Sequence, residues 1–169
     1  MDKAIENNKS RYFLELIEIL LIVFALSWFL RFYVLDTAIV TNNDMNPTFN
    51  SNDKVLVDKF LYPNKREVDR GDIVVFLNKN HSINIKRVIG LEGDRIEIRN
   101  SYVYINGKPF YETYTKTPIS IEVKPFFVPS KHIFVLGDNR HSNLVFIGEN
   151  IPKENLIGRV LFTYWPYKK

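Results

Sequence analysis

The sequence predicts a mainly β domain, a folded antiparallel sheet or barrel, carried on one N-terminal transmembrane helix. Two patterns lead there. Between Ile19 and Leu30, inside an apolar run from Tyr12 to Leu35, Ser27 is the only polar side chain. After Leu35 the hydrophobic residues fall into short runs, several alternating with period two and separated by turn residues. A chain of 169 residues holds one modest domain plus a short extra element.

The apolar run comes first. As a helix, residues 12–35 would span roughly 36 Å, enough to cross about 30 Å of hydrocarbon with some tilt. Glu15 and Glu18 fall near one end and Arg31 near the other, where charge is cheap, and Trp28, Phe32 and Tyr33 suit an interfacial belt. A buried core helix would be equally apolar, but the rest of the chain is too short to wrap it on every side. A cleavable signal peptide needs small residues at −3 and −1, and cleavage after Ala38 would put Asp36 at −3. The expectation is an uncleaved anchor over 12–35 in the cell membrane. Lys3, Lys9 and Arg11 precede it, so residues 1–11 are expected to be cytoplasmic and residues 36–169 extracytoplasmic.

The strands follow. Lys54–Val57, Asp72–Phe76, Lys86–Ile89, Arg95–Ile98, Tyr102–Ile105, Ile119–Val123, Ile133–Leu136 and Val160–Tyr164 are the candidates. Asn106-Gly107 is a hairpin signal because both residues tolerate positive φ. Arg70-Gly71-Asp72 and Glu92-Gly93-Asp94 mark further turns, and residues 95–130 are expected to form a smaller hairpin-rich subdomain. No stretch past the anchor keeps a 3.6-residue period.

Composition narrows the function. With no Cys, a disulfide framework, a thiol nucleophile and a zinc ribbon are excluded. Three scattered His (His81, His132, His141) offer no metal-binding spacing, so neither metal nor cofactor is expected. The net charge is +4, but no run of Lys and Arg appears, which argues for a solvated surface and against nucleic-acid binding.

Four segments, in order, resemble the bacterial type I signal peptidases (leader peptidases). They are Asp44-Met45-Asn46-Pro47-Thr48-Phe49, Arg70-Gly71-Asp72-Ile73-Val74-Val75-Phe76, Ile85-Lys86-Arg87-Val88-Ile89-Gly90-Leu91-Glu92-Gly93-Asp94, and Phe134-Val135-Leu136-Gly137-Asp138-Asn139-Arg140. Ile157-Gly158-Arg159 and Tyr164-Trp165-Pro166 follow. The resemblance implies a membrane-anchored Ser/Lys endopeptidase that removes signal peptides from exported proteins. In that mechanism a lysine serves as general base only as the neutral amine, which burial among apolar groups favours. Lys86 matches the general-base position, with Ile85 and Val88 expected to shield it.

At the nucleophile position the chain carries Asp44 in place of Ser. Attack by a carboxylate on an amide would have to form a mixed anhydride while expelling an amine, a steeply uphill step. An anion beside Lys86 would also favour its ammonium form. A second departure lies after Arg140. The family runs on through a serine to an Asp-Ser-Arg that orients the lysine, whereas here His141-Ser142-Asn143-Leu144-Val145-Phe146-Ile147-Gly148 is about two residues shorter and has apolar residues in place of the Asp-Ser-Arg, with a partial role left open for Ser142 or Asn143. Asn42 holds the position of an oxyanion-hole hydroxyl, and its amide could donate there or serve only as turn chemistry.

The family also binds its substrate as an added extended strand. The matching groove residues here are Ile39, Val40 and on to Asn43 on one side, and Ile83, Asn84 and Ile85 on the other. Phe126, Phe127 and Trp165 are candidates for contact with membrane lipid, though core packing competes for at least one of them. The function expected is therefore a catalytically inactive, membrane-anchored homologue that binds signal peptides or an active relative. The alternative is an active signal peptidase in which water, Thr41 or Ser142 replaces the serine. A self-cleaving repressor, which uses a related Ser/Lys fold, fits poorly with the anchor.

Overall fold

The computed structural model describes residues 2–59, 68–116, 118–141 and 148–166, with the side chains of residues 2–10, 32 and 33 excepted. The chain divides into two compact units, Met1–Leu35 and Asp36–Lys169.

The first unit is helix α1 (Asp2–Phe29), followed by a π-helical turn at Leu30–Val34. Within α1, Arg11–Phe29 has a mean hydropathy of 2.0 and none of it is buried. By length and composition this segment is able to cross a membrane. Its apolar side chains face outward all round, as expected for a helix whose solvent is lipid.

The second unit is built from strands β1 (Leu35–Ile39), β2 (Lys54–Asp58), β3 (Ile73–Leu77), β4 (Ile83–Gly90), β5 (Arg95–Arg99), β6 (Tyr102–Ile105), β7 (Lys108–Phe110), β8 (Val123–Phe127), β9 (His132–Leu136), β10 (Gly148–Pro152) and β11 (Leu156–Trp165), of which β1 starts at the last residue of the first unit. A seven-stranded sheet runs in the order β1-β2-β11-β3-β4-β9-β10, and a four-stranded sheet in the order β7-β6-β5-β8. The mainly β expectation holds. The one helical element described after Val34 is a single 3₁₀ turn, Lys153–Asn155.

Alternation along the strands sorts side chains between three clusters. On β3, Val75 joins Val40, Met45, Phe49, Val55, Val57 and Ile85. Its neighbours Val74 and Phe76 join Val68, Val88, Ile133, Val135 and Ile151 on the other face. Phe134 and Leu136 of β9 reach instead to Ile96, Ile98, Val103 and Ile105, so the two sheets share a core. Each buried Val, Ile or Phe contributes about 1.5–3 kcal/mol relative to exposure.

The hairpin turn falls where Asn106-Gly107 predicts it, with φ of 54° and 80°. The Asn106 side chain also accepts from Arg95 N–H and donates to Asp94, both at 2.8 Å, tying the turn to the start of β5. One strand is displaced from expectation. Residues 119–122 are not strand, and β8 begins at Val123. The period-two pattern at Ile119, Ile121 and Val123 arises because Ile119 is a buried loop residue packed under the small sheet. Pairing is instead made by Phe126 opposite Ile96 and Phe127 opposite Arg95. Pro125 is tolerated because β8 is an edge strand. Phe126 packs edge-on against Phe134, with ring centroids 5.1 Å apart, while Phe127 and Trp165 are exposed.

Candidate active site

Asp44 sits on a loop closed at its base by Val40 N–H donating to Asp53 (2.9 Å) and Asn52 N–H donating to Val40 (2.8 Å). Met45 and Phe49 are plugged into the core beneath it, and Phe49 N–H donates to the Met45 carbonyl at 2.9 Å. The two apolar anchors flank a polar stretch, so the loop has one way to face. Asp44 is thereby held half-buried at the surface.

The loop is gripped from the far side by Gly137 to Arg140. Asn139 N–H donates to the Asp44 carbonyl at 2.8 Å, and Asn139 Nδ2 donates to the Asn43 carbonyl at 3.0 Å. A Cβ on Gly137 would lie 2.6 Å from the Asp44 carbonyl oxygen, so only glycine admits this approach.

Asn42 engages Asp44 twice. Its Nδ2 donates to Asp44 Oδ2 at 3.0 Å, and its Oδ1 accepts from the Asp44 backbone N–H at 3.2 Å. Of the two roles open to the Asn42 amide, oxyanion donor or turn chemistry, the local one is seen here, with the amide spent on the carboxylate. The Asp44 N–H, the other donor the mechanism would use, is spent on the amide.

Lys86 lies on β4 opposite Val74 of β3, with its side chain only 7% exposed. Burial is as expected, and of the two expected shields Val88 shares the lysine's face while Ile85 does not. Ile85 points to the opposite face, into the cluster with Val75, so Val74 and Val88 are the apolar neighbours on the lysine's own face. The counter-ion also differs from expectation. Lys86 Nζ donates to Glu149 Oε1 of β10 at 3.4 Å, and no Lys86–Asp44 ion pair forms among the described residues. Sequence spacing could not reveal Glu149, because it meets Lys86 across an intervening strand.

Most other charges in the four segments form framework. Asp138 accepts from Arg87 Nε at 2.8 Å and Nη2 at 2.6 Å, and from the Thr48 hydroxyl. Burial works against the Arg87 charge, but the hydrogen bond and attraction to Asp138 outweigh it and leave the guanidinium pKa raised. The Arg87 guanidinium stacks 3.9 Å above the Tyr114 ring. Arg140 pairs with Glu112 at 2.5 Å and donates to the Gly137 carbonyl at 2.8 Å. Glu112 also accepts from the Tyr114 hydroxyl, whose pKa is raised by burial and then by that carboxylate. Arg70 donates to Asp94 at 2.9 Å and to the Ile89 carbonyl.

The family model described as "Signal peptidase, peptidase S26" matches residues 13–165. The chain belongs to the signal peptidase S26 family. It is 34% identical over 172 residues to a Synechocystis protein named "Probable signal peptidase I-2", covering 97% of this chain and 78% of that one. It is 35% identical over 151 residues to signal peptidase I of Leptolyngbya laminosa, covering 83% and 73% of the two chains. A crystal structure of a signal peptidase I from Enterococcus faecalis V583 superposes with a TM-score of 0.48 at 25% identity, covering 57% of this chain and 98% of that one.

In this S26 member the residues expected to form the groove lie on or next to β1 and β4. β1, with exposed Ile39, ends the large sheet, and Val40 is buried just beyond it. Ile83, Asn84 and Ile85 pair with β3 on one side, while β9 pairs with β4 only from Arg87 onward. Thr41 is exposed. Ser142, Asn143 and the segment to Ile147 lie outside the described residues.

Proposed function

We propose that this chain is a membrane-anchored signal peptidase homologue without peptide-bond hydrolysis, whose remaining role is binding. The observation that carries the reading is the double engagement of Asp44 by Asn42. An acyl-transfer site needs a nucleophile and a donor aimed at the developing oxyanion. Here the nucleophile position bears a carboxylate, and that carboxylate and the local backbone N–H are already hydrogen-bonded to the same amide. Lys86, at the general-base position, donates to Glu149 and so already has a carboxylate partner.

Main-chain pairing depends little on side-chain identity, so the edges at Ile39–Asn43 and Ile83–Ile85 can still accept an extended segment. The ligand proposed is the signal-peptide end of an exported protein, with association with an active relative as the other role. The anchor is read as a single pass in the cell membrane, with its N-terminus cytoplasmic.

The test is purified full-length protein in detergent with an exported precursor, beside Asp44→Ala and Lys86→Ala. No cleavage by any of the three is expected. Wild-type cleavage abolished by Lys86→Ala overturns the reading in favour of an active peptidase. That second reading draws support from the relatives named as signal peptidases and from the burial of Lys86.

A further inference from the structure

We propose that Glu149, not Asp44, is the positioning residue that holds Lys86 in its charged form, so that the two dyad positions are silenced by separate side chains. The inference deepens the pseudoenzyme reading and rests on it.

The sheet register explains the contact. Val88 of β4 lies opposite Val135 of β9, and Val135 lies opposite Glu149 of β10. These three side chains share a face, and Lys86, two residues before Val88, shares it too. Two strand spacings, about 9.5 Å of backbone, separate β4 from β10. A lysine and a glutamate bridge that span only if the strand between them leaves the path clear. Extending the β4–β9 register by one residue places Gly137 beside Lys86, where β9 contributes no side chain.

The position of Asp44 completes the argument. Over Gly137 it presents its backbone carbonyl, while its carboxylate is turned to Asn42. Among the described residues, β3 offers the lysine only Val74, and β9 offers Val135 and Gly137. The carboxylates of the adjoining segments are Asp72, just before β3 and paired with Arg159, Asp44, tied to Asn42, Asp138, tied to Arg87 and Thr48, and Glu149. Glu149 is the one that reaches the amine. Its side chain is 24% exposed, so the pair is screened less than a surface pair.

The experiment is competitive acetylation of the full-length protein in detergent with acetic anhydride from pH 7 to pH 10, with Lys86 read by peptide mass spectrometry. Glu149→Gln is expected to move the midpoint of the Lys86 rate–pH curve to lower pH and raise labelling at pH 8 by up to roughly tenfold. Glu149→Asp should retain most of the protection, and Asp44→Asn should leave the curve in place. An unmoved midpoint in Glu149→Gln overturns the proposal. So does an equal shift in Asp44→Asn, or a rate raised by the same factor at every pH, which reports exposure and not charge. Precursor cleavage by the wild type would sink the pseudoenzyme reading without touching the labelling curves, so the two failures are distinguishable.

Discussion

The backbone carbonyl of Asp44 and the Cα of Gly137 approach so closely that a Cβ on the glycine would lie 2.6 Å from the oxygen. The same carbonyl accepts from Asn139 N–H at 2.8 Å. Gly137 therefore acts as the seat of the site loop. Gly137→Ala is expected to push the loop away and cost about 1–3 kcal/mol, the usual penalty of overpacking. Chemical unfolding measures it. An unchanged midpoint would mean the loop has room to shift.

Asp138 is almost fully buried and holds both arms of Arg87. Removing one partner of such a pair strands the other charge, so Asp138→Asn is expected to destabilise by about 3–5 kcal/mol. Thr48→Ala removes one hydrogen bond to the same carboxylate and should cost about 1 kcal/mol. Equal losses from the two variants would refute this ranking.

Asp44→Ser alone is expected to restore no measurable precursor cleavage. The serine would regain a hydroxyl, but Lys86 would still face Glu149. After Arg140 the sequence also runs His141-Ser142-Asn143-Leu144-Val145, where the resemblance implies a lysine-orienting Asp-Ser-Arg. Robust turnover by the single variant would show that neither obstacle matters.

Asp94 predicts an acid limb of stability. Burial alone would raise its pKa, but hydrogen bonds from Leu91 N–H, Asn106 and Arg70, with the charge of Arg70, prevail and lower it. A depressed carboxylate stabilises the fold above its unfolded value of about 4, and that contribution fades as pH falls toward the folded value. Asp94→Asn should flatten the decline in unfolding free energy below about pH 4. Parallel pH profiles for wild type and variant would contradict it.

The apolar run, the alternating strands and the Asn106-Gly107 turn were legible in the sequence because each is a local preference of a few consecutive residues. The motif segments that carry Asp44 and Lys86 were legible for a related reason, since a motif is a few consecutive residues. What the sequence misplaced was non-local. Ile119 carried a strand's alternation yet packs as a loop, because burial against the small sheet imposes the same spacing as a strand. The shield and counter-ion of Lys86 depended on which residues share its face two strands away, and Glu149 is brought there by the order β4-β9-β10. Between an oxyanion donor and turn chemistry at Asn42 the sequence leaves the choice open, because it cannot say which way a short amide turns. The chain by itself determined the apolar helix, most of the strands and the residue types at the two motif positions. Only the tertiary structure decided which charges meet, because ion pairs and hydrogen bonds act over a few ångströms of space, and register and packing set those distances.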